Sequence, residues 1–388
     1  MLIDGDSHMF EPRNMWVDYC DPRERDTALR IEDDALGYSW ITLRGESTGR
    51  RASVPVPSGG ENFARLGRTN ALRKAGLPTD ETPYDEMPET YWNPTVRRNS
   101  LDQWGIDEAV VFPQWGLQWE WPLAKDPHAT RVNMEAWNRY AVEIAQEGRG
   151  RFHPVGHVQL HQDPRWVREQ LQLLSRGGIR LAQCCPSIVD GRRMSHRQLD
   201  PLWSAFTEFG IAPTWHINSQ MHMVFENDAA WDEGDTGQTP LVTGLHLRAS
   251  AELALTDMAV NGVFERHPEL RIVTAEIGAD WFATLCRRLG PWYDIISDLN
   301  GEVFNPELVS SPVDYLRRAV VMICSFPTDY FNPEIFNTLP DHTAFGGDFP
   351  HTEGLPDPLH DFRNVIGEIP DDVAAKLFGA NLASVVHA

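Results

Sequence analysis

The sequence predicts a (β/α)8 TIM barrel, an α/β fold in which eight parallel strands alternate with helices. Short apolar runs recur eight times along the 388 residues, and most are followed by a segment with apolar residues at three-to-four spacing. Several of these runs also end in acidic residues or histidine, as expected where barrel strands open into an active site. The predicted strands are residues 2–6, 108–112, 152–157, 178–183, 211–215, 271–275, 319–323 and 342–346.

Helical periodicity fills most of the intervals between these strands. The predicted helices are residues 131–145, 166–175, 198–209, 244–266, 279–298 and 371–385. We expect one domain over residues 1–388. Residues 17–95 show little periodicity, and we expect them to be an insertion that covers the barrel mouth or makes an oligomer contact. A second excursion at residues 221–243 and a tryptophan-rich stretch at 115–121 follow the fifth and second strands.

Composition excludes several classes of function. The formal net charge of −22 and the lack of a Lys/Arg run disfavour binding to nucleic acid or to an anionic membrane surface. No apolar run approaches 18 residues, and no secretory leader pattern is present. The five cysteines are odd in number and form no CxxC pair, which indicates a reducing compartment. These features predict a soluble, cytoplasmic protein.

The end of the first strand carries side chains that bind metals. Asp6 and His8 are two residues apart, so in a strand they point to the same side, about 6.6–6.8 Å apart along the chain. Glu11 follows closely and adds another carboxylate, although Glu-Pro after a strand could equally serve to anchor the loop. Asp6 and His8 can therefore converge on one ion.

Three further strands end in candidate ligands. His216 ends the fifth strand, Glu276 the sixth and Asp348 the eighth. Each is a weak signal alone, but the C-terminal ends of all barrel strands meet at one mouth. Together with Asp6, His8 and Glu11 they predict a metal centre. His351 follows Asp348 by three residues and is expected to orient that carboxylate from outside the ligand set.

The number of metal ions follows from a charge count. Four carboxylates and two imidazoles facing one cavity cannot stay charged without compensation, and two divalent ions would balance four negative charges. The same ligand set occurs in di-iron carboxylate proteins, and carboxylate and imidazole suit Fe and Mn. We therefore predict a dinuclear centre with iron as the expected metal, bridged by Glu276 or Asp348. The alternative is one Zn or Mn ion, with Glu276 outside its ligand shell.

Four motifs connect the sequence to a known family. The segments IDGDSHMFEP, TWHI, HPELRIVTAEIGADW and GGDFPH resemble the amidohydrolase superfamily, in particular the branch that contains aminocarboxymuconate-semialdehyde decarboxylase and related aromatic-acid decarboxylases. The resemblance implies a metal-dependent barrel enzyme that is often a homodimer. It carries the family's ligand positions to Asp6, His8, His216 and Asp348.

The departures from the family pattern are informative. Asp6 stands where the family usually has the first His of His-x-His, and residues 178–183 lack the strand-four Lys of the two-metal hydrolases. Glu276 stands where the decarboxylases have a catalytic His. Oxygen thus replaces nitrogen at two positions, which resembles the superfamily's non-haem di-iron monooxygenase of diterpenoid biosynthesis.

Two reaction classes are consistent with this site. The main prediction is a monooxygenase that uses O₂ and an electron donor to hydroxylate a small hydrophobic molecule, held by the aromatic and apolar side chains of Trp115, Trp119, Trp215, Met223 and Phe349. The alternative is metal-dependent decarboxylation or hydrolysis of a cyclic or aromatic carboxylic acid. In this alternative Glu276 or Asp348 is the catalytic acid or base. An ionised Glu276 would be a poor proton donor unless burial raised its pKa.

Overall fold

Eight parallel strands form a nearly closed barrel, as predicted. The computed structural model describes residues 1–58, 68, 71–72, 74–77, 81–120, 122–186, 188–217, 246, 248–301, 303–325 and 332–388. Strand order around the barrel follows the chain, and the predicted bounds differ from the observed ones by no more than three residues. The barrel strands are β1 Ile3–Met9, β5 Glu108–Pro113, β6 Phe152–His157, β7 Leu181–Gln183, β8 Ala212–His216, β9 Ile272–Ala275, β10 Val320–Cys324 and β11 Thr343–Phe345.

The helices pack around this barrel, and their amphipathic faces bury the outer side of the strands. No helix in the described ranges is long and apolar enough to cross a membrane. The helices are α1 Met15–Tyr19, α2 Pro94–Trp104, α3 Gly116–Trp119, α4 Pro127–Gly148, α5 Pro164–Arg176, α6 Asp200–Glu208, α7 Ala249–Val260, α8 Val263–Arg266, α9 Asp280–Asn300, α10 Pro312–Ala319, α11 Glu334–Thr338, α12 Pro358–Ile366, α13 Asp371–Ala375 and α14 Asn381–Val386.

The segment between β1 and β5 contains more regular structure than its sequence indicated. It holds α1, α2 and a three-stranded antiparallel sheet of β2 Leu29–Asp33, β3 Ser39–Leu43 and β4 Glu46–Arg51. The outer strand β4 has no fully buried residue, so its sequence lacks the apolar alternation that predicts a strand. A role for this segment over the mouth or in an oligomer contact stays a prediction.

The barrel interior is filled by aliphatic and aromatic side chains. Alternate residues of the strands form one apolar cluster, which includes Val110, Phe112, Val155, Leu181 and Val273. At the N-terminal ends of the strands, side chains from α14 join the same cluster and close that end of the barrel: Leu382, Val385 and Val386. His387 then reaches Glu108 at the start of β5, with Nε2 2.7 Å from the carboxylate.

The barrel closes between its first and last strands at the mouth. The backbone N–H of His8 donates to the carbonyl of Phe349 at 2.7 Å, and that of Asp348 donates to the carbonyl of Asp6, also at 2.7 Å. A register shift in β1 between Asp4 and Ser7 interrupts strict alternation. With strict alternation, an inward-facing Ile3 would turn Ser7 inward as well. Because of the register shift, Asp6 and His8 face the mouth instead.

Candidate metal centre

Five of the predicted site residues meet at the C-terminal mouth of the barrel. Asp6 and His8 lie on β1, and His216 ends β8. Glu276 directly follows β9, and Asp348 lies three residues beyond the end of β11. All five are at most 2% exposed. His8 Nε2 lies 3.3 Å from both Asp6 Oδ1 and Asp348 Oδ1, and His216 Nε2 lies 3.5 Å from Asp6 Oδ1 and 3.6 Å from Glu276 Oε2.

The spacing of these atoms fits a divalent ion. Ligand atoms 2.0–2.2 Å from one tetrahedral ion are about 3.3–3.6 Å from each other, which matches the four distances. Within the described ranges, Asp6 Oδ1 and His8 Nε2, which lie 3.3 Å apart, are buried and make no hydrogen bond, and the same holds for Oδ2, the second carboxylate oxygen of Asp348. Buried polar atoms that approach one another without hydrogen bonding require another partner. Oxygen and imidazole donors suit Mn, Fe or Zn.

The charges of the cluster show that it needs a cation. Burial alone would lower the pKa of His8, but the nearby carboxylates of Asp348 and Asp6 raise it to about 10. Burial would likewise raise the pKa of Asp6, but His216 and His8 hold it below its ordinary value. In the absence of a metal, a proton on His8 thus supplies the positive charge that offsets the carboxylates of Asp6 and Asp348.

Glu276 differs from the other carboxylates. Burial raises its pKa well above the ordinary value, and the negative charges of Asp348, Glu353 and Asp6 raise it further. Its nearest described basic group is His216, whose own pKa is lowered by burial. Glu276 therefore favours the protonated form.

The backbone is strained at two of the five residues. Glu276 has a φ of +59° and Asp348 a φ of +53°, in the left-handed region that residues other than glycine rarely adopt. Such a conformation costs on the order of 1–3 kcal/mol and persists where the surrounding structure enforces it. At Asp348 the enforcing contact is the backbone hydrogen bond to Asp6 that closes the barrel. The strain turns both carboxylates toward the mouth at the point where each strand ends.

His351 lies beside Asp348, as expected from the sequence. Its Nδ1 is 2.7 Å from Asp348 Oδ1, and its Nε2 is 2.8 Å from Gln114 Nε2. Because the Gln114 amide donates to Nε2, Nδ1 carries the proton and donates to the carboxylate. The chain from Gln114 through His351 fixes the direction in which Asp348 points.

Glu11 has other partners than the cluster. Its carboxylate is fully buried and accepts hydrogen bonds from the backbone N–H groups of Trp115, at 3.1 Å, and Gly116, at 3.2 Å. It belongs to none of the groups of converging ligand atoms in the described ranges. The structure thus places Glu11 as an anchor for the loop after β5, which was the alternative to its predicted role as a ligand.

The predicted substrate-contacting aromatics are dispersed. Trp215 precedes His216 on β8, so it points away from the mouth and packs in the core between strands and helices. Phe349 packs against Tyr91 and Trp104.

Of the other residues predicted to contact the substrate, Trp115 and Trp119 follow β5 and one is not described. Trp115 donates its indole N–H to Tyr84 Oη at 2.9 Å. Trp119 packs on the ring of His157 near the mouth. Met223 lies outside the described residues.

Two supporting residues gave no signal in the sequence. Ser325, one residue beyond β10, donates a hydrogen bond to Asp6 Oδ2. Arg97 on α2 is fully buried and donates to Ser7 Oγ at 2.7 Å and to the carbonyl of His8 at 3.0 Å. Arg97 follows the predicted insertion in the chain, and only the tertiary structure brings it to β1.

A further group of ligand-type residues lies at the opposite end of the barrel. Glu108 Oε2 is 2.7 Å from Nε2 of both His153 and His387. These are hydrogen-bond distances to one shared oxygen, and they tie the C-terminus to the strands.

The family model for amidohydrolases matches residues 123–385, more than half of the chain. The chain belongs to the amidohydrolase family. No curated protein matches the sequence. Solved structures do: an amidohydrolase from Mycobacterium avium subsp. paratuberculosis K-10 is 22% identical with a TM-score of 0.78, over 99% of this chain and 98% of that one.

Two decarboxylases are also similar in structure. The 5-carboxyvanillate decarboxylase of Sphingomonas paucimobilis is 18% identical with a TM-score of 0.64, over 100% of this chain and 98% of that one. The 5-carboxyvanillate decarboxylase of Novosphingobium aromaticivorans, solved with manganese and 3-methoxy-4-hydroxy-5-nitrobenzoic acid, is 17% identical with a TM-score of 0.62, over 100% and 97%. At these identities the likeness shows the shared fold.

Replacing Glu11 by methionine distinguishes a role as loop anchor from a role as metal ligand. If Glu11 anchors the loop, Glu11→Met leaves the N–H groups of Trp115 and Gly116 without an acceptor and lowers the free energy of unfolding by about 1–3 kcal/mol. Metal content per chain stays at the wild-type value. Glu11→Gln keeps an acceptor oxygen and is the control, with stability closer to wild type. Loss of metal from Glu11→Met at unchanged stability would contradict the anchoring role.

Metal binding should release a proton from His8. Since the pKa of His8 is raised to about 10, the residue is protonated at pH 7, and a metal must displace that proton. Titration calorimetry with Mn²⁺ in buffers of different ionisation enthalpy should show about one proton released, and the affinity should rise with pH up to about 10. Heats that do not depend on the buffer would show that His8 is neutral or not a ligand.

The role of His351 is testable through metal affinity. His351→Phe removes the N–H that orients Asp348, and we expect metal affinity to fall about 10- to 100-fold. His351→Gln can still donate to Asp348 and should recover most of the loss. Equal affinities of wild type and His351→Phe would show that Asp348 needs no such support.

Proposed function

We propose that this protein is a metal-dependent lyase that removes CO₂ from a small cyclic or aromatic carboxylic acid. The observation that carries the proposal is the placement of Glu276, a buried carboxyl group whose pKa is raised by burial, beside converging metal-ligand atoms in the barrel mouth. The similarity to decarboxylases of aromatic acids supports the same reaction class.

One divalent ion suffices for this site. The sequence-based count of two ions assumed four charged carboxylates, but Glu11 binds backbone amides and Glu276 favours its protonated form. Asp6 and Asp348 remain, and their two negative charges balance one divalent cation. We propose that Asp6, His8, His216 and Asp348 hold that ion. Manganese, which two of the similar decarboxylases bind, suits a set of two carboxylates and two imidazoles.

When bound, the ion supplies positive charge that holds the substrate and stabilises negative charge developing on it. In the reaction the bond between the ring carbon and the carboxylate breaks, CO₂ leaves, and the electron pair remains on the ring carbon. A proton must then be delivered to that carbon. Burial raises the pKa of Glu276, which favours the protonated form that can deliver the proton and then recover one from solvent. Burial thereby removes the objection that a glutamate in place of histidine is a poor acid.

The oxygen-activating interpretation rests on the donor set alone. It needs two iron ions and an external electron donor, and neither the contacts of the described residues nor the similar structures support it. Dioxygen consumption therefore stays a prediction of the sequence, and decarboxylation is the better-supported function.

Replacing Glu276 by glutamine tests the proposed acid. Glutamine keeps the size and a hydrogen-bonding amide but cannot deliver a proton, so kcat should fall by about 10²- to 10⁴-fold while metal content stays near one ion per chain. The measurement is CO₂ release under argon by manganese-loaded protein from a panel of hydroxylated benzoic acids, with metal quantified by mass spectrometry. Turnover that requires O₂, or two ions per wild-type chain, would contradict the proposal. Loss of metal from Glu276→Gln would instead make Glu276 a ligand.

A further inference from the structure

Two polar residues face the barrel interior next to the candidate metal centre. Val155 on β6 pairs with Leu181 on β7, and both belong to the interior cluster. Two residues further along, His157 pairs with Gln183, so these side chains face the interior as well. Gln183 in turn pairs with Thr214 on β8, and the next inward-facing residue of that strand is His216.

The polar atoms of this pair are buried without partners in the described part of the chain. Gln183 and His157 are fully buried. Among the described residues, neither amide atom of Gln183 nor His157 Nδ1 makes a hydrogen bond. Such groups are rare in the interior of proteins because burying them costs free energy, and each one calls for a physical reason.

A hydrogen bond at Nε2, the second ring nitrogen, fixes the orientation of the His157 side chain. Its Nε2 lies 3.0 Å from Glu120 Oε2, while the amide of Gln159 donates to Glu120 Oε1 at 3.1 Å. Trp119 packs on the imidazole ring, with the ring centroids 5.3 Å apart. In the tautomer whose Nε2–H donates to Glu120, Nδ1 carries no proton and is a hydrogen-bond acceptor.

The two side chains together offer a donor and an acceptor to one ligand group. Paired residues of adjacent strands are about 4.8 Å apart, so the two side chains start from neighbouring positions on the barrel wall. His157 Nδ1 accepts and the Gln183 amide donates. A hydroxyl group, which is both donor and acceptor, satisfies both, whereas a carboxylate has no proton to give to Nδ1.

We propose that His157 and Gln183 form a subsite for a hydroxyl group on the substrate ring. The subsite rests on the proposed function, because it assigns the substrate of that same site to the hydroxylated cyclic acids. Glu120 and Trp119 act as positioning residues that keep the acceptor nitrogen of His157 directed at the hydroxyl. The unpaired polar atoms are the cost in stability of a site that is complete only with substrate bound.

The first experiment measures stability and needs no knowledge of the substrate. Gln183→Met replaces a buried, unpaired amide by an apolar side chain of similar size, so the thermal midpoint of the manganese-loaded protein should rise. Gln162→Met is the matched control, because the Gln162 amide donates to the carbonyl of Pro127 and to Gln159 and accepts from Arg131, and the midpoint should fall. A fall for Gln183→Met as well would show that its amide is already paired in the free protein, and would overturn the subsite.

The second experiment measures selectivity by calorimetry on manganese-loaded protein. Gln183→Met should weaken binding of 2,6-dihydroxybenzoate at least tenfold and leave binding of benzoate unchanged. An equal loss for both acids would overturn the assignment to a hydroxyl group. Failure of the proposed function has a different signature: the wild-type protein then binds neither acid and releases no CO₂. In that case a raised midpoint of Gln183→Met still supports an open polar subsite, and a lowered one still overturns it.

Discussion

The crowding of carboxylate oxygens in a buried barrel mouth is the constraint on which the rest of the site depends. Asp6, Glu276 and Asp348 offer oxygens within 4.8 Å of one another in a space closed to solvent. Like charges so close cannot all persist without a compensating cation or proton. The raised pKa of Glu276 and the raised pKa of His8 both follow from this crowding of negative charge. The bonds that close the barrel hold these groups together, since Asp6 and Asp348 are joined through their backbones.

Much of this arrangement follows from sequence patterns. Eight apolar runs gave the strands, and strand ends gave Asp6, His8, His216, Glu276 and Asp348, because parallel strands in a barrel deliver their C-terminal residues to one rim. The sequence pattern was less useful at residues whose position in the chain fits two different structural roles. Glu11 after a strand could bind a metal or backbone amides, and only the loop after β5 decides between them. Trp215 beside His216 was assigned to the pocket although alternation along the strand places the two on opposite faces.

The remaining features of the site depend on tertiary contacts, which the sequence pattern does not show. Arg97 supports β1 from a helix about 90 residues away, and no local periodicity predicts that contact. The polar atoms of Gln183 and His157 could be recognised as unpaired only once every described neighbour was in place. Function within this fold therefore depends on a few side chains at strand ends rather than on the scaffold that the chain shares with its structural neighbours.

The apolar seal formed by Leu382, Val385 and Val386 has a consequence for traffic through the molecule. Because these side chains fill the N-terminal end of the barrel, any small molecule that binds at the candidate metal centre has to enter and leave at the C-terminal end of the strands. For the decarboxylation proposed above, product that still occupies this route excludes the next molecule of acid, so product and substrate compete for one passage.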